Sequence, residues 1–302
     1  MKFDIVGKRY WWFLLSTLVL IPGIISIFVQ GFNLGIDFTG GTLLDLKFAR
    51  PVTVAEIREA MKEHNLENST IQLAATGQTE ASPNVFVRTK VLSEEERKDV
   101  LKSLETKLGA FEILRVEKVG AVIGSELTTQ ALLALLASWV LIIIYITYRF
   151  EFKFAVSGIL ALIHDVLVVL GIFSLLQIEI DASFVAAVLT IVGYSINDTI
   201  VIFDRIRENL KTYRKGEGFQ ELVNRSIWQT MTRSIYTALT VLFATASLYF
   251  FGGESTKNFS LALLIGVTSG AYSSIFNASP IWVTWKEYDE KKRIEMKTKG
   301  VK

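Results

Sequence analysis

Residues 183–203 read SFVAAVLTIVGYSINDTIVIF. A helix needs about 20 apolar residues to cross a hydrocarbon core about 30 Å thick, and this run meets that length. Asn197 and Asp198 lie inside it. A carboxylate in a membrane helix costs several kcal/mol unless it is neutralised, hydrated or paired. The stretch therefore sets the fold class as membrane-spanning. It also makes an ion or proton pathway the first functional reading.

Five further runs have comparable length, at 10–29, 130–148, 154–176, 233–251 and 258–284, the last interrupted by Pro280. The chain has 302 residues, 51% of them hydrophobic and 21% charged. That is too apolar for an ordinary soluble domain and too charged for spans alone. Cysteine is absent, which excludes disulfides and thiolate metal sites. The two histidines, His64 and His164, argue against a His-rich metal centre. No cofactor or metal is expected, and His64 reads as a solvated surface residue. The first run is longer than a signal-peptide core and lacks a small-residue cleavage site, so it reads as an uncleaved anchor.

Lys and Arg crowd the amino end, the 149–153 and 205–225 connections, and the tail after Trp285. Glu179, Asp181 and Glu254, with a single Lys257, mark the opposite connections. The positive-inside rule then puts both termini in the cytoplasm. The expected organisation is a cytoplasmic amino end and first span (1–30), an extracytoplasmic domain (31–129), spans two to six (130–285) and a basic cytoplasmic tail (286–302).

The outer region carries its own pattern. Strands are expected at 42–49, 71–75, 85–91 and 111–119, with a turn over 77–84. Thr53 with Glu56 and Ser93 with Glu96 are capping boxes. They open helices running to about Asn65 and Leu108. Glu94, Glu95 and Glu96 favour the amino terminus of the second helix. The fold class is thus a polytopic α-helical membrane protein with six spans plus an extracytoplasmic α+β ferredoxin-like (βαββαβ) domain. No nucleotide loop, nucleophile elbow or metal-ligand motif is present, so an enzyme is not expected.

Residues 35–41 read GIDFTGG. Asp37, Gly40 and Gly41 read first as a tight turn using glycine's positive φ. The functional reading is a hinge or contact between the first span and the outer domain.

Asp198 needs a partner. Counted at about 1.5 Å per residue, it lies roughly 22 Å below the outer surface, and Arg233 of the next span lies roughly 27 Å below it. If those spans are neighbours, the two can pair directly or through water. A carboxylate pulled one way by a guanidinium and the other by its apolar surround can take up and release a proton. A fixed ion pair holding two helices is the equally weighted alternative. Asp204 lies near the cytoplasmic rim, within reach of water. His164 and Asp165 form a second ionisable pair, in the third span, and are assigned a supporting or anchoring role over direct proton transfer. Residues 219–232 read as an amphipathic surface helix or an extension of the fifth span.

Residues 35–41, His164-Asp165 and the long motif VGYSINDTIVIFDRIREN at 192–209 together resemble the SecF family, over essentially the whole chain. SecF proteins are the smaller membrane subunits of bacterial SecDF protein-export complexes, in the resistance-nodulation-division superfamily. The resemblance implies residence in the bacterial cytoplasmic membrane. It implies SecD, the SecYEG channel, translocating unfolded polypeptide and the lipid bilayer as partners, with no nucleic acid. It implies use of a proton or sodium gradient to draw polypeptide across the membrane. It carries ion coupling onto Asp198 and Arg233, with Asn197, His164, Asp165 and Asp204 in support. Two other classes compete: a non-transporting scaffold of a membrane complex, and a small-molecule efflux subunit.

Overall fold

A computed structural model of the chain describes residues 3–73, 81–149, 151–213 and 218–299. The expected turn at 77–84 and the end of the expected strand 71–75 lie partly outside these residues. So do Arg214, Lys215 and the end of the basic tail. The chain divides into two compact units, Leu34–Leu132 and Met1–Asn33 with Leu133–Lys302.

In the first unit, a short helical turn α2 (Ile36–Thr39), which follows the membrane helix α1 (Arg9–Gln30), precedes strand β1 (Gly41–Thr53). Helix α3 (Val54–Met61), strands β2 (Thr70–Leu73) and β3 (Ala81–Thr89), helix α4 (Glu94–Leu108) and strand β4 (Phe111–Val119) follow. The sheet is antiparallel, in the order β2-β3-β1-β4. Both capping boxes form. Glu56 N donates to Thr53 Oγ1 at 3.2 Å and Thr53 N to the Glu56 carboxylate at 2.8 Å. The Ser93 and Glu96 distances are 3.2 and 2.7 Å. Leu44, Leu46, Val85 and Val87 of the sheet bury against Ile57, Met61, Val100 and Leu104 of the helices. Strand β1 outruns the expected 42–49 because its register shifts between Lys47 and Val52, an irregularity that accommodates Pro51.

Among the described residues, six helices are long and apolar enough to cross a membrane. They are α1, α5 (Ala121–Arg149), α6 (Phe152–Leu175), α7 (Ala182–Lys211), α8 (Phe219–Phe251) and a last helix spanning Thr256–Met296. The last comprises α9 (Glu254–Ser273), a π-turn at Ser274–Ala278 and α10 (Ser279–Lys299). Pro280 does not break it, because a proline in the first turn of α10 forfeits no α-helical bond of that helix. Helix α5 begins nine residues before the expected span. Residues 219–232 extend α8, as one of the two readings had it.

Small residues set the close crossings of this unit. A Cβ on Gly23 of α1 would sit 2.8 Å from the Cα of Gly171 in α6. A Cβ on Gly270 of α9 would sit 3.0 Å from the Ser195 Cβ of α7. Backbones that close bring short hydroxyl side chains within hydrogen-bond reach of the neighbouring helix.

Candidate functional site

Asp181 caps α7, accepting from Phe184 N at 2.9 Å. The buried face of α7 then recurs at helical spacing through Phe184, Ala187, Ile191, Ser195, Asp198 and Ile202. Asp198 is thereby turned inward. Ser234 Oγ of α8 donates to Asp198 Oδ1 at 2.6 Å. Asp198 Oδ2 is buried and accepts no hydrogen bond among the described residues.

Arg233 is at a similar level but turned differently. Adjacent helical residues point about 100° apart, so Ser234 takes the inward direction. Arg233 is exposed and makes no hydrogen bond to Asp198 among the described residues. It lines an open cleft of about 330 Å³ with Tyr145, Arg149, Asp204, Arg205 and Gln229. Asp204 is exposed and pairs with Arg207 at 2.6 Å. Asn197 is exposed on the outer face of α7.

Asp165 of α6 is fully buried. Its Oδ2 accepts from Ser195 of α7 and Ser273 of α9, each at 2.7 Å. Its Oδ1 accepts from Ser269 of α9 at 2.7 Å, and His164 Nδ1 lies 3.1 Å away. Thr199 Oγ1 of α7 and Ser274 Oγ are 3.0 Å apart, and both hydroxyls reach the carbonyl of Ser195, whose side chain donates to Asp165. The serines were legible only as small packing residues; the recurrence of Gly266, Ser269, Gly270 and Ser273 at helical spacing in α9 is the signal that puts Ser269 and Ser273 on one face.

In the other unit, Gly40 has φ +70° and Gly41 φ +136°, both conformations glycine favours. A Cβ on Gly40 would stand 2.7 Å from the Cα of Ala121, and one on Gly41 2.4 Å from Thr89 O. Gly124 closes the contact from α5, with Phe38 O only 2.8 Å from where its Cβ would be. The turn holding Asp37 is thus pressed onto the first residues of α5. Gly124 is a partner that sequence reading missed. Among the described residues no group of three or more His, Asp or Glu side chains is placed to hold a metal ion.

Residues 99–288 match the family described as "Protein export membrane protein SecD/SecF, C-terminal", and residues 25–52 match the "SecD/SecF GG Motif". The chain is 53% identical over 287 residues to "Protein translocase subunit SecF" of Acidaminococcus fermentans, covering 95% of this chain and 98% of that one. It is 43% identical to the protein of the same name from Sebaldella termitidis, covering 93% and 91%. The crystal structure of SecDF from Thermus thermophilus, titled a translocon-associated membrane protein, superposes with a TM-score of 0.86 at 38% identity. That match covers 95% of this chain and 39% of the longer SecDF chain.

Proposed function

The chain belongs to the SecF family of protein translocase subunits, and from that premise we propose that it couples a proton or sodium gradient to polypeptide export. It is a multi-pass membrane protein and an auxiliary subunit of the Sec translocase. In the proposed arrangement it lies in the bacterial cytoplasmic membrane with both termini inside, and the Leu34–Leu132 unit faces outward. The charge distribution along the connections supports that orientation. We read the outer unit as ferredoxin-like, since strand order β4-β1-β3-β2 with two intervening helices is the split βαβ pattern. The proposed division stays at 1–30, 31–129, 130–285 and 286–302, with α5 bridging the second and third segments. SecD is the proposed partner for the remainder of the longer SecDF architecture. The SecYEG channel and the polypeptide in transit complete the set.

The observation that carries this reading is Asp198, a buried carboxylate in a membrane-length helix with one oxygen uncommitted. Such a group can hold and release an ion, and Arg233 supplies a fixed positive field beside it. Asp165 and His164 act as the anchor of the surrounding helices. Asp37, Gly40 and Gly41 are the proposed hinge of the outer unit, and the turn they form packs on Ala121 and Gly124 within the Leu34–Leu132 unit.

The test is export by this subunit reconstituted with SecD and the channel, with and without an imposed proton or sodium gradient. Asp198→Asn keeps the shape and removes the charge. It is expected to abolish gradient-driven stimulation while the complex still assembles. Wild-type stimulation by the assembled variant would sink the reading, and loss of assembly would favour the scaffold.

A further inference from the structure

The apolar runs of α5 and α7 end at Tyr148 and Phe203, and that of α8 begins at Arg233. The open cleft of about 330 Å³ lies at this boundary and is lined by all three helices. Arg149 of α5, Arg205 of α7 and Arg233 of α8 give it one guanidinium from each. Ile200 and Val201 of α7 add apolar wall, and Asp204 and Glu208 add two carboxylates.

Those carboxylates are already answered. Arg205 Nη1 donates to Glu208 at 2.8 Å, and Arg207 Nη2 donates to Asp204 at 2.6 Å. Counting Arg207, four guanidinium groups stand against two carboxylates. The excess is positive, and Arg233 makes no ion pair among the described residues. Gln229, also in the lining, accepts from Asn209 Nδ2 at 2.8 Å through its oxygen, so its amide N–H groups are left to donate. An excess of planar N–H forks and an amide donor is the chemistry that recognises a phosphate.

The surroundings point to a phosphate that carries apolar chains. Helical spacing puts Leu141, Tyr145 and Arg149 on one face of α5. Leu141 and Tyr145 are exposed, so an apolar track leads along α5 to the guanidinium rim. Tyr148 is exposed beside them, and tyrosines at the end of a membrane helix sit at the level of lipid headgroups. A free phosphate would use the rim and leave the track idle. Helix α5 is also the least buried of the six membrane-length helices. At this end Arg207 Nη1 ties it to α7, donating to Arg149 O at 3.0 Å.

We propose that this cleft binds the phosphate of an anionic phospholipid, with an acyl chain along the Leu141 face of α5, and that the headgroup joins α5 to α7 and α8. The proposal goes beyond the ion-coupling reading and needs only that the chain spans a membrane.

The test is native mass spectrometry of the full chain, alone and assembled with SecD, titrated with phosphatidylglycerol or phosphatidylcholine. Charge-assisted hydrogen bonds predict that one phosphatidylglycerol binds about tenfold more tightly than phosphatidylcholine. Arg149→Gln combined with Arg205→Gln is expected to erase that difference. Lys291→Gln combined with Lys292→Gln removes the same charge from exposed positions on α10 and is expected to keep it. Arg233 stays native throughout, because its proposed coupling role would confound the result. Excess inorganic phosphate is expected not to displace the lipid. In wild type, which needs no substitution to fold, amide exchange at 145–149 is expected to slow with phosphatidylglycerol and not with phosphatidylcholine. Equal affinity for the two lipids, an equal loss in the lysine control, displacement by phosphate or unchanged exchange overturns the proposal. A preference that disappears on assembly with SecD assigns the cleft to that partner and overturns it too. Asp198→Asn is expected to keep the lipid preference whatever it does to export, so the coupling reading and this one fail separately.

Discussion

Asp165 and Asp198 are buried carboxylates in one helical bundle, and their surroundings differ. Asp165 has three serine hydroxyls and a histidine nitrogen around its two oxygens, drawn from α6, α7 and α9. Asp198 has one serine on one oxygen and none on the other. A carboxylate offers about four acceptor sites, so the first is filled and the second is largely open. Burial and acidity alone do not identify an ion-handling residue in a membrane helix. In the proposed reading, the number of donors already committed to it separates the anchor from the candidate coupling site.

The largest effect is expected where the commitment is greatest. Asp165→Ala leaves three buried serine hydroxyls without their acceptor and removes the node joining three helices. It is expected to lower the stability of the detergent-solubilised protein by about 3 kcal/mol, read from denaturant unfolding. Asp198→Ala strands only Ser234 and is expected to cost clearly less. Equal losses would erase the distinction between anchor and coupling site.

The next effect tests how the anchor is held. A Cβ on Gly266 of α9 would lie 2.2 Å from Ile191 Cδ1 and 2.4 Å from its Cγ1. Most of the Ile191 side chain must move, so Gly266→Ala is expected to cost about 2 kcal/mol by overpacking. Adding Ile191→Ala is expected to recover part of that loss. Gly193 of the facing helix meets nothing within 4 Å, so Gly193→Ala serves as the neutral control. A Gly266→Ala protein as stable as wild type would mean that α7 and α9 are not fixed by this crossing.

Much of this architecture was legible from local codes. Span lengths follow from hydropathy, and both capping boxes follow from Ser or Thr with Glu three residues on. The start of α5 was missed because Glu126, Thr128, Thr129 and Gln130 lower the apolarity of residues that still form helix. The turns of the site were harder. Counting rise per residue brings Arg233 level with Asp198, but it carries no rotation about the helix axis, and Ser234 faces the carboxylate. Asp165 looked like half of a local His-Asp pair because its serines are 30, 104 and 108 residues away in sequence. The π-turn has no such local code, and Pro280 suggested a break that the turn before it absorbs.

A third kind of carboxylate, in the Leu34–Leu132 unit, gives the smallest effect. Glu96 is exposed, and its partner is backbone. The amide of Ser93 donates to it at 2.7 Å, and this bond, helped by the Ser93 side chain, holds its carboxyl below the ordinary value of 4.5. A depressed folded value means that the ionised form is the one the fold favours. The contribution is therefore present above pH 4.5 and lost as pH falls through the lower, folded value. Ser93→Ala removes the reciprocal cap and is expected to cost about 1 kcal/mol at neutral pH. Amide exchange in the first turn of α4 is the direct readout. In wild type its protection is expected to weaken on the acid side of that range, and in Ser93→Ala to be weak at every pH. A first turn whose protection ignores both the substitution and the acid would show that packing of Val100 and Leu104, rather than the cap, fixes where α4 begins.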